Sequence, residues 1–487
     1  MNSKYTALSL ACALLSQNVL ADTEITIYNQ DLALIKTEQK ATLDAGQNEV
    51  IFKDAAETML PDSAFIFGNG IKIIEQNYDY AGIDTATLLT ANIGKTVKTV
   101  RINEKTGENI FETATLVAAN GFTPVLKFDY GIETNFPGRV IFDNIPQSLN
   151  PSPVFKAKAQ TATAGEKSLN LVYLASGFSW SANYVAKINN DETLSLLGRV
   201  SINNNSGSSF RDISASVIAG DVNTVSQVLA PRMFKRAMMN TMAMGAVEEV
   251  ASDSAVISAP SSVGGYYVYK MPEKISLKNG QIKQISFIDA PNVKYKKHGR
   301  ITSPLYFAEA KNSFKDLHPE VIYNFTNQTE DGLGLPLPKG KISFYDKDKE
   351  NALQFVGENT INDTAVGQHL TLQAGRFFDV FAKGQINSIQ KQSERELKTA
   401  ANTSCPLFET TYIYDVTFEI TNNGDKETSI ILKQNLPAKA EILTESLKST
   451  AGDNTEREWR FSVAPKVPYT LKISVKNTLN ARRCPEH

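Results

Sequence analysis

An all-β, multi-domain chain of immunoglobulin-like β-sandwich units, with a small SH3- or OB-like barrel near its N-terminus, is the fold class this sequence predicts. Three observations carry the prediction. Apolar and polar residues alternate with a period of two in many short runs, among them 24–28, 168–173, 341–345 and 412–420, which is the pattern of a half-buried strand. Clusters of Gly, Asn, Asp and Pro bound these runs and punctuate turns. Helical periodicity is almost absent, the short exceptions being 393–400 and part of 233–250. At 487 residues the chain has room for about three domains.

Residues 1–21 read as a secretory signal peptide. Lys4 supplies the positive region, 5–15 the apolar run, and Val19 and Ala21 the small-residue punctuation, so cleavage is expected between Ala21 and Asp22. The apolar run is too short for a permanent membrane helix, and no later stretch reaches the roughly 18 to 20 apolar residues such a helix needs. Cys12, behind Leu10 and Ala11, invites an acylated N-terminus instead, but the apolar run before it is short and Ser9 stands where Leu is usual. A soluble periplasmic or secreted protein is therefore expected.

The region 22–158 opens with ITIYNQDLALIK, two extended runs around Asn29, Gln30 and Asp31. Within it, 92–146 alternates strands of about six residues with tight turns, the rhythm of a small closed barrel. Pro146, Pro151 and Pro153 and the polar run to Lys167 predict a boundary. The region 168–289 predicts a sandwich in which NNNSGSS, at 203–209, is a hairpin or a sandwich turn. Its stretch 225–265, rich in Ala, Met and Ser, reads as an insertion without strand alternation, and Asn279-Gly280 is the strongest hairpin signal in the chain. The region 295–487 predicts a further sandwich, with hairpins at 346–350 and 422–425.

Four blocks together resemble a known family: YLASGFSWSANY at 173–184, GRVSINNNSGSSFRDISASVIAGDVN, LGLPLPKGKISFYDKD at 333–348, and the closing NNGD, LP, W and FSVAP series. Tyr173, Gly177, Trp180, Asn183 and Tyr184 stand in the first block. In order and spacing they resemble the domain of unknown function 4139 family, which includes mucoidy inhibitor A-like proteins. The resemblance implies a β-rich, exported protein and carries no catalytic residue with it. The long coiled-coil hairpin common in mucoidy inhibitor A-like members has no counterpart here, because no heptad run exists.

Chemistry-bearing patterns are sparse. A net charge of -2 with interspersed signs gives no footprint for nucleic acid. Neither a P-loop, nor a Rossmann fingerprint, nor a GxSxG elbow occurs, so no cofactor is expected. His298, His318, His369 and His487 lack HxH or HExxH spacing and read as surface or strand-end residues. Asp346, Asp348 and Glu350 alternate as calcium ligands would, yet without the glycine and distant Glu of an EF-hand, and read as a charged hairpin tip. Met239, Met242 and Met244, with Met233 and Met238, offer soft thioether ligands for Cu(I), or an adaptable apolar contact. Once Cys12 leaves, Cys405 and Cys484 remain, 79 positions apart. Paired, they would tie down the C-terminal tail for about 4 kcal/mol; two separate thiols is the alternative.

The expectation is an exported envelope protein acting as a non-catalytic binding or assembly module, its partner an envelope protein or polymer. A hydrolase acting on an envelope polymer and a copper-binding protein are the alternatives.

Overall fold

The computed structural model describes residues 22–53, 55–79, 83–146, 149, 153–220, 260–397, 405–452 and 455–484. Strands account for 67% of it and helix for 2%, in several separate sheets, so the protein is an all-β, multi-domain sandwich protein. The signal segment through Ala21, the methionines Met239, Met242 and Met244, and His487 lie outside the described residues. Among the described residues no helix is long and apolar enough to cross a membrane.

The opening alternation folds as a hairpin of Asp22–Tyr28 and Leu32–Leu43, with Ile25 opposite Ile35 and Ile27 opposite Ala33, all four buried. This hairpin belongs to an eight-stranded sheet. Asp22–Tyr28 also runs parallel to Phe210–Ala219, and Leu32–Leu43 pairs along its length with Gly165–Ser176. Hydrogen bonding thus crosses the boundary expected at 158–168. The polar run expected as a connector instead contains Val154–Thr161, the central strand of a three-stranded sheet between Gly46–Lys53 and Ile71–Asp79. Ala157 and Ala159 are buried between Lys156, Lys158 and Gln160, with Val154, Phe155 and Thr161 buried at the strand's ends, and the small size of the two alanines concealed the alternation.

Two compact units divide the described residues. One takes in 22–181, 201–220 and 261–285, the other 182–200 and 286–484. The expected region 168–289 contributes to both, because the strands Phe178–Ile188, Thr193–Asn204 and Gln281–Lys294 each continue from one unit into the other.

In the first unit, 92–146 forms a five-stranded sheet in the order Arg139–Ile141, Thr96–Ile102, Asn109–Asn120, Thr123–Phe128, Gly131–Glu133, the last strand in sequence returning to pair with the first. Among the described residues its two end strands do not hydrogen-bond to each other, so the small barrel is open. A helix missed in the sequence, Thr85–Ala91, precedes it. Asp84 accepts from the Thr87 amide and Thr87 returns a bond from its side chain, a reciprocal cap. Leu89 is its one buried residue, too little for a periodic signal, and packs with Val97, Leu116, Leu126 and Phe128.

Several turns differ from expectation. Asn279-Gly280 joins Ile275–Leu277 to Gln281–Lys294, but these strands pair with different partners, so the turn moves the chain between sheets. The hairpin of this stretch lies earlier, where Ser261–Val263 pairs with Tyr266–Lys270 around Gly264-Gly265. Both glycines have positive φ, 58° and 88°, which a two-residue hairpin turn requires. The insertion expected through 265 therefore ends before this hairpin. The segment 203–209 is a sandwich turn, and 422–425 likewise carries the chain from one sheet to another and is not a hairpin. At 346–350 the expected hairpin is present, joining Gly340–Lys347 to Leu353–Ile361.

The second unit contains a six-stranded sheet (His369–Arg376, Glu320–Thr326, Lys296–Thr302, Thr428–Asn435, Glu456–Val463, Thr450–Ala451) and a five-stranded one (Ser313–Leu317, Val380–Leu397, Leu407–Asn422, Tyr469–Arg482, Glu441–Glu445). Trp459, Tyr414, Phe418, Ile430, Leu432 and Leu471 belong to one core cluster contributed by both sheets. The helix expected at 393–400 is, through Leu397, the end of an 18-residue strand. Polar cross-strand pairs hold it, Arg395 to Glu409 at 2.6 Å and Thr410 to Glu394 at 3.0 Å, so no apolar alternation marked it. Cys405 and Cys484 form a disulfide with Cα atoms 4.3 Å apart, beside the Leu407–Arg482 end of its ladder.

Candidate functional site

A cleft of about 900 Å³ lies in the second unit. Its floor is set by sheet register. Lys296 stands directly opposite Asn324, and Asn324 directly opposite Thr371, so three neighbouring strands place these residues in one row on one face. Thr326 and His369 form the next pair along the same face, with Thr326 Oγ1 and His369 Nδ1 2.8 Å apart. All five residues line the cleft.

The walls bring charge of both signs. Asp191 and Glu192 come from the turn before Thr193–Asn204, Lys294 from the end of Gln281–Lys294, and Asp331 from the short 3-10 turn Thr329–Asp331. Lys294 donates to the Glu330 carbonyl at 2.9 Å and pairs with Asp331 at 3.5 Å, while Gln328 donates to Asp331 at 2.6 Å. Asp191 pairs with Lys426 at 3.0 Å. Tyr295 is buried beneath, donating to the Asn190 carbonyl at 2.8 Å. Burial, reinforced by Asp191 and Asp346, pushes its hydroxyl up to about 12, so it stays protonated at neutral pH. Behind the sheet, Tyr323 stacks on Phe344 at 4.7 Å.

One atom on this floor is exceptional. The Asn324 side-chain oxygen is buried and has no hydrogen-bond partner in the protein, although a buried amide oxygen is normally paired. Its neighbours in the row, Lys296 and Thr371, are exposed. The arrangement offers an acceptor, an ammonium, hydroxyls and an imidazole across one face. Such a set can bind a polar ligand through several hydrogen bonds at once.

The residues singled out in the sequence lie elsewhere and are mostly structural. Tyr173 accepts from the Ala56 amide at 3.1 Å, and burial raises its pKa. Trp180 donates to the Ile218 carbonyl at 3.2 Å, and Tyr184 to the Pro338 carbonyl at 2.7 Å. Gly177, with φ of 84°, lies against Asn205, whose carbonyl oxygen would stand 2.7 Å from any Cβ added there. Asn183 is half-buried opposite Lys341. These residues fill and shape cores and do not converge on a cleft.

Among the described histidines, His369 alone lines the cleft. His318 uses Nδ1 on the carbonyls of Phe377 and Val380, and His298 is buried. Asp348 accepts from the amides of Glu350 and Ala352 and from Gln354, which lowers its pKa and makes it the cap of its own turn. Asp346 accepts from the adjacent Lys347 amide. Among the described residues no group of three or more His, Cys, Asp or Glu side chains is placed to share a metal ion.

Sequence reasoning missed the cleft because its floor is assembled from three separate strands. The run Lys294-Tyr295-Lys296-Lys297 was the one local signal. No protein-family model matches the chain, and no curated protein matches its sequence.

Proposed function

We propose that this protein is an exported envelope component that acts as a non-catalytic binding or assembly module, and that the cleft over Lys296, Asn324 and Thr371 takes a polar ligand from an envelope protein or polymer. The unpaired, buried Asn324 oxygen in the cleft floor carries this reading. Leaving a buried acceptor unpaired costs about 1–3 kcal/mol, and a ligand N–H or O–H would recover that once the Asn324 side chain turns into the cleft. Of the three wall carboxylates, Asp331 and Asp191 are each engaged by a lysine, which supports binding over hydrolysis. The signal-like N-terminus and the resemblance to an exported, β-rich family support the compartment.

The test is equilibrium binding of the mature protein to soluble peptide and glycan fragments of an envelope, beside Asn324→Leu, which keeps the volume and removes the acceptor. The reading expects a fragment that binds about tenfold more weakly to the variant. Cleavage of a bound fragment would replace it with the hydrolase alternative, and equal affinity would remove the cleft from the account.

A further inference from the structure

The open five-stranded sheet of the first unit carries a second groove, about 430 Å³, on different residues. Its centre is Tyr130. The Tyr130 ring lies flat on Phe128, with centroids 5.0 Å and planes 8° apart, and Phe128 is backed by Phe136 at 5.5 Å. Phe128 and Phe136 belong to the small core of this sheet. The Tyr130 hydroxyl donates to Glu133 at 2.9 Å. One face of the ring is therefore packed and its tip anchored, while the residue stays 59% exposed; Phe111, in the same groove, is 67% exposed. Glu112 and Asp129 supply carboxylates beside the Tyr130 ring, while Phe111 and Thr113 alternate with Glu112 along Asn109–Asn120 and line the groove from the other face of that strand.

A fixed, flat aromatic face with polar groups at its edge fits a ligand that is itself a ring with an apolar face and a polar rim. Pyranose sugars and nucleic-acid bases both have that form. Charge separates them, because a nucleic-acid strand brings phosphates that must be neutralised by free cations. Here Lys98 is already held by Asp143 at 2.8 Å and Arg101 by Glu112 at 3.0 Å, while Asp129 is exposed. The lining therefore holds no unpaired cation to neutralise a phosphate or an acidic polysaccharide, whereas carboxylates accept hydrogen bonds readily from sugar hydroxyls.

We infer that this groove is a glycan-binding site in which a neutral pyranose stacks on Tyr130, with Glu112 and Asp129 beside it to bond the sugar hydroxyls. This goes beyond the cleft described above and rests on none of its residues.

The test is titration calorimetry of the full mature chain with three probes, the hexasaccharides of N-acetylglucosamine, β-1,4-glucose and α-1,4-glucose, and with a twelve-residue oligothymidylate for comparison. At least one hexasaccharide is expected to bind, and Tyr130→Ala to weaken it by about tenfold or more, with Tyr130→Phe retaining most of the affinity because the ring face remains. Because Tyr130 is exposed, an unchanged thermal melt of Tyr130→Ala separates loss of binding from loss of fold. Binding by none of the three sugars, full affinity in Tyr130→Ala, or preference for the oligothymidylate would each overturn the proposal.

Discussion

Asn204 and Asn422 hold the same station in two different sandwich turns. Each is the last residue of a long strand, each is buried, and each uses its amide to bind the chain just after the turn and a strand from elsewhere. Asn204 donates to the carbonyls of Ser208 and Leu277 and accepts from the Ser206 amide. Asn422 donates to the carbonyls of Lys426 and Val463 and accepts from the Gly424 amide. Asn327, one residue past Glu320–Thr326, repeats the device with the Leu335 carbonyl and the Gly334 amide. In each case one buried side chain satisfies backbone groups that a departing strand would otherwise leave unpaired.

Asn422→Ala is accordingly expected to destabilise its sandwich by about 2 kcal/mol, since it strands the buried Val463 carbonyl and takes a partner from the Lys426 carbonyl and the Gly424 amide. Its neighbour Asn423→Ala, exposed, should stay within about 0.5 kcal/mol of wild type. Urea unfolding of the two variants makes the comparison, and equal midpoints would refute the role of Asn422.

These asparagines also mark what the sequence made legible. Period-two alternation was readable wherever inward residues were large, as in Tyr412–Ile420 of the strand Leu407–Asn422, and failed where they were small, as with Ala157 and Ala159. Turn residues announced that the chain reverses at 203–209, 279–280 and 422–425, but not which sheet receives it. That choice is made by tertiary partners such as Leu277 and Val463, far away in sequence. The cleft was invisible for the same reason. Lys296, Asn324 and Thr371 become a row only when three strands take their register.

The Cys405–Cys484 bond closes a loop of 79 positions containing the strands of the second unit's core from Leu407 onward. The Cys405→Ser, Cys484→Ser double variant should unfold about 4 kcal/mol more easily in that unit. The wild-type protein should show the same loss on reduction. Identical denaturation with and without reductant would count against a bond formed in the native protein.

His298 makes acid sensitivity a property of the second unit. Burial, then the positive charges of Arg460 and Arg300, push its pKa from 6.5 down to about 4, with Glu458 opposing and Lys433 adding slightly. The neutral imidazole is the form the fold prefers. Its contribution is therefore fully present above about pH 6.5 and is lost as the pH falls toward 4, on the order of 3 kcal/mol across that window. Urea midpoints of wild type and His298→Gln, taken at pH 7, 5.5 and 4.5, should converge as the pH falls. A constant gap would show that His298 does not carry the effect.

Charge reversal in the cleft should act on binding and not on folding. Lys296 is exposed, so Lys296→Glu is expected to leave the thermal midpoint within a degree or two while weakening cleft ligands by about tenfold. A midpoint that drops with the affinity would mean that Lys296 supports the sheet instead of the ligand.

The cleft's role is tested most directly by placing a photo-crosslinking residue at Thr371, in the floor, and a second at Lys472, outside it, and illuminating the protein in its own envelope. A discrete adduct is expected from position 371, absent from position 472 and lost when Asn324→Leu is added. The same adducts from both positions, or none from 371, would contradict the cleft's role.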